Sequence, residues 1–200
     1  MVLTWHVDYW DRLGWKDPFA RKEFTERQRR YQRARGERQV WTPQFLVDGE
    51  IVATGAAGGL PGRVERAAKA PAPAALGAAA ELADGRIAVR VSLCPAEAGW
   101  KPAPDLRVTP VLYRREARTA VPRGENEGRT LVESFIALDL AGPFPASDLL
   151  GDRKATATFA LPQGLTAVDV GVALLLEDAA AARPIQCATV PVREAKAAGK

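Results

Sequence analysis

The stretch WHVDYWDRLGWKD, residues 5–17, holds three of the five tryptophans and the only histidine of this 200-residue chain. A short apolar run that ends in polar residues is typical of a buried strand, and we predict one over residues 2–9. Residues 11–16 are predicted to form a loop, in which Gly14 disfavours regular secondary structure. Asp17-Pro18 predicts a helix start, because Asp is a good N-cap and Pro suits the first helical position. The stretch therefore predicts a strand that leads through a loop into a helix from Pro18 to about Arg35.

The next segments extend this pattern. Gly36 is a natural residue just beyond a helix C-terminus. A second strand is predicted over residues 39–47. Asp48-Gly49 predicts a tight turn into a returning strand at residues 51–54. With a short helix over residues 60–70, the order becomes strand, helix, strand, hairpin strand, helix, which is an α/β arrangement.

The composition changes after this first part, and the change predicts two domains. Residues 1–70 form the α/β domain, and residues 71–73, Pro-Ala-Pro, form a linker. Across residues 74–193, apolar and polar residues alternate in six or seven segments separated by turn-rich loops. This pattern is typical of an antiparallel β-sandwich. Residues 194–200 are expected to be a frayed tail.

The net charge of +4 lies entirely in the first third of the chain. Residues 1–70 carry 13 Lys and Arg against 9 Asp and Glu, whereas residues 71–200 carry 15 of each class. Six arginines between Arg27 and Arg38 supply most of the excess, but acidic residues dilute them and no recognition motif accompanies them. We therefore expect a solvated helix face and no nucleic-acid partner.

The two cysteines, Cys94 and Cys187, limit the possible chemistry. They lie 93 residues apart, and the chain has no Cys-x-x-Cys motif. With a single histidine, a zinc site of standard spacing is excluded, and we expect no metal and no cofactor. One disulfide bond and two free thiols are both open. No apolar run approaches the roughly 18 residues that a membrane-spanning helix needs, so no span is expected.

Five short motifs in the first domain carry a family resemblance. They are HVDYWD at residues 6–11, LGW at 13–15, TERQ at 25–28, TPQ at 42–44 and VDG at 47–49. Together they resemble a family of secreted bacterial thioredoxin-like proteins that is classed as a domain of unknown function. The resemblance is specific over residues 3–66 and looser over residues 74–192. It implies a partial thioredoxin-like domain followed by a β-sandwich.

The resemblance also implies a first strand and helix upstream of Trp5, with a Cys-x-x-Cys motif at the helix start. A helix N-terminus lowers the pKa of a thiol and so favours the reactive thiolate. This strand and helix are missing from the sequence. A misplaced start or a truncated gene is therefore expected, with a fragment of the fold as the alternative. Because Cys94 and Cys187 do not match the motif, we predict no catalytic residue in the chain as it stands.

Thr42, Pro43 and Gln44 are the first candidates for substrate binding. In thioredoxin-like proteins a cis-proline at this point faces the redox cysteines, and the backbone before it pairs with an extended substrate. The resemblance therefore implies a cis Thr42-Pro43 bond and a peptide-binding groove. A trans proline at a strand edge is the alternative.

The remaining candidates are His6, Asp8, Trp10 and Trp15. On a strand, His6 and Asp8 would point the same way and could form an acid–base pair with Asp11, or simply a hydrogen-bonded pair at the end of the strand. Trp10 and Trp15 flank a loop, so they could line the groove, although tryptophans in a small domain more often fill the core.

These expectations give two candidate functions. The resemblance implies a role in thiol–disulfide chemistry in the cell envelope, in the periplasm or after secretion. The chain as it stands lacks the Cys-x-x-Cys pair that this chemistry would use. If Met1 is the true start, no signal peptide precedes it and a cytoplasmic location is expected. The alternative is a non-catalytic module that binds an extended peptide or an envelope protein. The oligomeric state stays open.

Overall fold

The computed structural model describes residues 2–52 and 59–195, which contain two helices and ten strands. The helices are α1 (Lys22–Ala34) and α2 (Leu60–Lys69). The strands are β1 (Phe45–Val47), β2 (Glu50–Val52), β3 (Ala74–Ala83), β4 (Arg86–Pro95), β5 (Leu106–Ala120), β6 (Thr130–Leu140), β7 (Phe144–Pro145), β8 (Ala155–Ala160), β9 (Val170–Asp178) and β10 (Arg183–Glu194). The protein is thus a mixed α/β chain dominated by strands.

Strands β3 to β10 form one sheet in the order β6-β5-β9-β10-β3-β4-β8, with β7 paired to β5. The sheet curls, so that apolar side chains of β4 and β9 meet in one core. Ile87 and Val89 of β4 and Val172 and Leu174 of β9 are completely buried there. The period-two pattern of β4 predicted this burial, because alternate residues of a strand face the same side.

A second apolar cluster lies on the outer face of the same sheet. Phe24 of α1 packs there with Val111 and Tyr113 of β5 and with Ala173 and Leu175 of β9. Helix α1 therefore covers the outer face of the central strands. This explains why eight consecutive residues, 170–177, are buried on β9, since both faces of the strand are covered.

The strand predicted over residues 2–9 is wrong. The chain there makes one parallel bridge, between Thr4 and Ile136 of β6, and then turns into a 3₁₀ helix at Asp8–Leu13. The Thr4 N–H donates to the carbonyl of Phe135, and the Thr4 carbonyl accepts from the Ala137 N–H, each at 2.9 Å. The segment thus adds to the edge of the large sheet. The predicted thioredoxin-like arrangement with a separate sandwich is not confirmed.

The start of α1 is also later than predicted. The Asp17 side chain accepts a hydrogen bond from the Phe19 N–H at 2.8 Å, which forms a local turn instead of capping a continuous helix. The helix begins at Lys22. Its end is close to the prediction, because Gly36 has a φ of +66°.

The hairpin turn and α2 are close to their predicted positions, but of the strand predicted over residues 39–47 only Phe45–Val47 forms. Asp48 and Gly49 have φ values of 48° and 78°, the left-handed backbone that the tight turn requires. Of the predicted returning strand, residues 53–54 lie outside the described residues. The frayed tail predicted at residues 194–200 is described only to Ala195, and Glu194 still belongs to β10.

The β-rich part contains one strand that is not predicted separately and one pairing that differs from the prediction. The Ala-rich segment Ala74–Ala83 forms β3, although alanine has a low strand propensity. The pairing of β3 with β10 is parallel, so the sheet is not purely antiparallel. In the described residues, no helix is both long and apolar enough to cross a membrane.

Candidate functional site

Thr42, Pro43 and Gln44 lie in the segment between α1 and β1. The Thr42-Pro43 peptide bond is cis, as predicted, and both residues are exposed. Trp10 donates a hydrogen bond from its indole Nε1 to Oγ1 of Thr42 at 2.9 Å. The structure therefore brings Trp10 next to the cis-proline, which the sequence predicted only as one of two alternatives for this tryptophan.

Gln28 of α1 holds this segment against the helix. Its Nε2 donates to the carbonyl of Trp41 at 2.8 Å and to Oε1 of Gln44 at 3.3 Å. Its Oε1 accepts from the Tyr9 hydroxyl at 3.1 Å. A single amide thus fixes the segment on both sides of the cis-proline.

Gln28 and Tyr9 were not predicted as site residues. Both lie in the motifs that carry the resemblance, HVDYWD and TERQ, so the signal was present in the sequence. The Tyr9 and Trp10 rings have centroids 5.3 Å apart. Burial raises the pKa of Tyr9 above its usual value, so the hydroxyl stays a donor at neutral pH.

The surface beside this cluster is open. Trp10 is 45% exposed and Phe45 is 37% exposed. In the described part of the chain, β1 pairs only with β2, and neither Thr42 nor Gln44 makes a backbone–backbone hydrogen bond. Within residues 2–52 and 59–195, the backbone groups of Thr42 and Gln44 therefore have no backbone partner, and Trp10 and Phe45 lie beside this segment in contact or in sequence.

His6 and Asp8 do not form the predicted pair. Asp8 lies in the 3₁₀ helix, where the hydroxyl of buried Thr25 accepts from the Asp8 N–H at 3.1 Å and donates to Oδ1 of Asp8 at 2.6 Å. The 3₁₀ turn rotates Asp8 toward α1, which is why the strand-based expectation fails. Asp8 therefore ties the 3₁₀ helix to α1.

His6 is instead held between two other carboxylates. Its Nδ1 lies 2.6 Å from Oδ2 of Asp17, and its Nε2 lies 3.3 Å from Oε1 of Glu133 on β6. The His6 side chain is only 10% exposed. Burial lowers its pKa, but the hydrogen bond and charge of Asp17, with the charge of Glu133, raise the pKa above its usual value overall. This cluster joins the N-terminal segment to the large sheet.

The pKa values of the two carboxylates respond in opposite directions. Burial raises the pKa of Glu133, and the charge of Asp17 adds to this, so its net shift is upward. For Asp17, burial also acts to raise the pKa, but the hydrogen bond and charge of His6 and the hydrogen bonds from the Phe19 and Ala20 N–H groups together outweigh it, so the pKa is lowered overall. Within the described residues, no three His, Cys, Asp or Glu side chains form a possible metal site.

No described hydrogen bond joins Trp15 to the cluster at Thr42. It is half-buried against the loop at Gly124, where a Cβ atom would lie 3.7 Å from Cβ of Trp15. Its described contacts are thus with the β5–β6 loop. The prediction that Trp15 lines the groove stays a prediction.

The arginines of α1 do not form one solvated face. Arg27 is buried against Glu177 of β9, with Nη1 donating to Oε2 at 3.1 Å and a second hydrogen bond between Nη2 and Oε1. Arg35 donates to the carbonyls of Tyr31 and Gly49. Of the six arginines, these two therefore serve packing, and the expectation of a fully solvated face is wrong for them.

The cysteines are not bridged. Cys94 lies on β4 and Cys187 on β10, and both are free and exposed. Neither lies in the segments that carry the cis-proline or Trp10. The chain's own thiols are therefore not part of the Thr42 cluster.

A family model matches most of the chain, and one solved structure has a similar fold. The model of a family described as "Protein of unknown function (DUF1223)" matches residues 1–177. A crystal structure of a protein from Agrobacterium tumefaciens is similar with a TM-score of 0.61 and 22% identity, covering 99% of this chain and 83% of that chain. A domain of the outer membrane lipoprotein Omp28 from Porphyromonas gingivalis gives a TM-score of 0.37 and 16% identity, covering 62% of this chain and 92% of that domain. No curated protein matches the chain.

Proposed function

Because this chain belongs to the DUF1223 family, whose members are described only as proteins of unknown function, we propose its function from the site: it binds an extended peptide along residues 42–44. The observation that carries the proposal is the exposed cis Thr42-Pro43 segment, held by Trp10 and Gln28 next to β1, which pairs only with β2 in the described part of the chain. No catalytic side chain is required for this role.

The backbone supplies the first part of the argument. An extended peptide can add to an open strand edge through main-chain hydrogen bonds, and pockets for alternate side chains then give specificity. Thr42 and Gln44 make no backbone–backbone hydrogen bond within residues 2–52 and 59–195, so we propose that their backbone groups offer such hydrogen bonds. The resemblance to thioredoxin-like proteins, in which the backbone before a cis-proline pairs with an extended substrate, supports the same mode.

The aromatic side chains supply the second part. Exposed Trp and Tyr side chains are over-represented among residues that dominate binding energies. Trp10 is held in place by Thr42, so it loses little rotamer entropy when a ligand covers it. An apolar side chain of the peptide would lie on Trp10 and Phe45.

The test is a selection followed by direct measurement. A dodecapeptide is selected from a random phage-displayed library on the wild-type protein, synthesised, and titrated by calorimetry. Trp10→Ala should raise the Kd at least tenfold, which is about 1.4 kcal/mol. Val168→Ala, which removes another exposed apolar side chain, should leave it unchanged. The proposal fails if Trp10→Ala and Val168→Ala have equal effects, or if no selected peptide binds saturably.

Backbone pairing has its own test. N-methylation of single peptide bonds removes one donor at a time and leaves every side chain in place. In an added strand, consecutive N–H groups point alternately toward and away from the neighbouring edge. N-methylation should therefore weaken binding at every second position. Uniform effects along the peptide would contradict strand addition.

The same cis-proline favours a second candidate, a role linked to thiol–disulfide exchange. The resemblance supports recognition of a cysteine-containing partner at this segment. The chain's own thiols give no support, because Cys94 and Cys187 lie on strands of the large sheet and belong to no Cys-x-x-Cys motif. Insulin reduction with dithiothreitol separates the two candidates. Acceleration that is lost in the Cys94→Ser/Cys187→Ser variant would favour redox chemistry, and no acceleration would favour binding alone.

We further propose that the binding takes place in the bacterial cell envelope, in the periplasm or after secretion. The support is the family resemblance of residues 3–66. Fractionation of cells that express the gene from its own chromosomal locus tests this location. Recovery of the protein with cytoplasmic markers alone would contradict it.

A further inference from the structure

A depression of about 430 Å³ lies beside the C-terminal half of α1. It is lined by Arg29, Gln32 and Arg33 of the helix and by Arg38, Gln39 and Val40 of the segment that follows. The lining thus combines three guanidinium groups with two amides and contains no carboxylate. Such a surface suits a negatively charged ligand, because guanidinium groups bind carboxylates through two parallel hydrogen bonds.

The charges in this depression are only partly compensated. Arg29 pairs with Glu26 at 2.9 Å, whereas Arg33 and Arg38 form no ion pair within residues 2–52 and 59–195. Glu37 precedes Arg38 but is not among the lining residues. Two guanidinium groups are therefore available to an incoming anion.

The depression adjoins the proposed peptide site. Val40 is two residues before Thr42, and the Trp41 carbonyl between them accepts the hydrogen bond from Gln28. On the helix, Gln28 and Gln32 are one turn apart and share a face. The charge of Arg29 also acts on the Tyr9 hydroxyl, whose ring lies against Trp10. Arg29 thus connects the two surfaces.

We propose that the depression at Arg29, Arg33 and Arg38 binds carboxylate side chains of the extended peptide, so that the partner is an acidic peptide. This inference rests on the proposed function of residues 42–44 and specifies its ligand. Acidic side chains at one end of the peptide would meet Arg33 and Arg38 while its apolar side chains cover Trp10. The excess positive charge of the first 70 residues would also speed the encounter with such a partner.

The experiment uses acetylated, amidated hexaglutamate and hexaglutamine as probes at low salt. Wild-type protein should bind hexaglutamate and not hexaglutamine. The Arg33→Gln/Arg38→Gln variant should raise the Kd for hexaglutamate at least tenfold. The matched control is Arg86→Gln/Arg193→Gln, which removes the same charge from two exposed arginines on the large sheet, and its Kd should stay within twofold of wild type. Equal weakening by both variants, or by neither, would overturn the inference.

Two further arms separate the possible failures. Trp10→Ala should weaken the selected dodecapeptide, and Arg33→Gln/Arg38→Gln should weaken hexaglutamate. If only the first effect is seen, the peptide site stands and its acidic specificity is wrong. If only the second is seen, the proposed function fails although the depression binds an acidic chain. Inorganic phosphate that binds more tightly than hexaglutamate would identify a free anion as the ligand and overturn the peptide assignment.

Discussion

Arg27 and Glu177 are 150 positions apart in the sequence and form a two-point ion pair between α1 and β9, with side chains 11% and 5% exposed. The hydroxyls of Tyr31 and Thr109 donate to the same carboxylate, at 2.6 and 3.1 Å. The Trp5 ring lies 4.8 Å from the Arg27 guanidinium carbon. Burial acts to raise the pKa of Glu177, but the Arg27 charge and these hydrogen bonds lower it overall, so the carboxylate is ionised. The pair therefore fixes the helix that positions Gln28.

Loss of Arg27 should strongly destabilise the protein. Arg27→Ala leaves the Glu177 carboxylate buried without its cation, and removal of one partner of a buried pair costs about 3–5 kcal/mol. Urea unfolding followed by tryptophan fluorescence measures the change. The control is Arg29→Ala, since the Arg29–Glu26 pair is nearly half exposed and should contribute less than about 1 kcal/mol.

The double variant Arg27→Met/Glu177→Leu gives a sharper comparison. It removes both charges and keeps apolar volume, so it should lose less stability than Arg27→Ala. Equal free energies of unfolding for Arg27→Ala and Arg29→Ala would show that the pair does not hold the helix in place.

His6 should make stability depend on pH. Its folded pKa is raised above 6.5, so the stabilisation it supplies is fully present below pH 6.5 and is lost as pH rises through the folded pKa. The raised pKa of Glu133 has the same sign. The lowered pKa of Asp17 acts oppositely: its contribution is present above pH 3.8 and is lost as pH falls through the folded value. The contributions of His6 and Asp17 are therefore both fully present between pH 3.8 and pH 6.5, whereas that of Glu133 is full only below pH 4.5.

The measurement compares wild type with His6→Gln. The difference in free energy of unfolding should be larger at about pH 5.5 than at about pH 8.5. Because the chain has one histidine, its ring protons give a single NMR titration, which should report a pKa above 6.5. Glu133→Gln should lower that value. A titration at or below 6.5 would contradict the two-carboxylate environment.

Gln28 should act as a positioning residue for peptide binding. Gln28→Ala removes the hydrogen bonds to Trp41, Gln44 and Tyr9. We expect a loss of stability of about 1–2 kcal/mol and a rise of roughly tenfold in the Kd of the selected dodecapeptide. Gln28→Glu keeps the acceptor for Tyr9 and loses both donors, so its Kd should be intermediate. Gln163→Ala, at an exposed loop position, should match wild type in both measurements, and a Gln28→Ala Kd equal to it would remove Gln28 from the site.

Local signals in the sequence were enough for some elements. The Asp48-Gly49 turn needs only two residues that tolerate positive φ. The cis-proline followed from the resemblance. The strand predicted over residues 2–9 failed because an apolar run does not specify where it is buried. These residues pack under α1 and along the edge of β6 instead of forming a central strand.

The rest depended on contacts that no local pattern carries. In the sequence, nothing distinguishes Arg27 from the exposed arginines around it. Glu177 likewise resembles an ordinary charged residue at the end of an apolar strand, and only the fold brings the two together. The TERQ motif marks Gln28, but its role depends on its contacts with Trp41 and Gln44, which follow the helix in the chain. Burial of a polar side chain is set by its partner, and these partners are distant in sequence or lie beyond a turn.

The thiols should react as two separate free cysteines. Both are unbridged, so Ellman's reagent should release two equivalents from the unfolded protein without prior reduction, and dithiothreitol should leave the Tm unchanged. Cys187 should react more slowly than Cys94 in the folded protein. Although part of the Cys187 residue is exposed, burial of its thiol raises the pKa and lowers the fraction of reactive thiolate. Single variants Cys94→Ser and Cys187→Ser assign the two rates. Release of fewer than two equivalents, restored by dithiothreitol, would instead reveal a disulfide between Cys94 and Cys187. That result would support the thiol–disulfide role over binding alone.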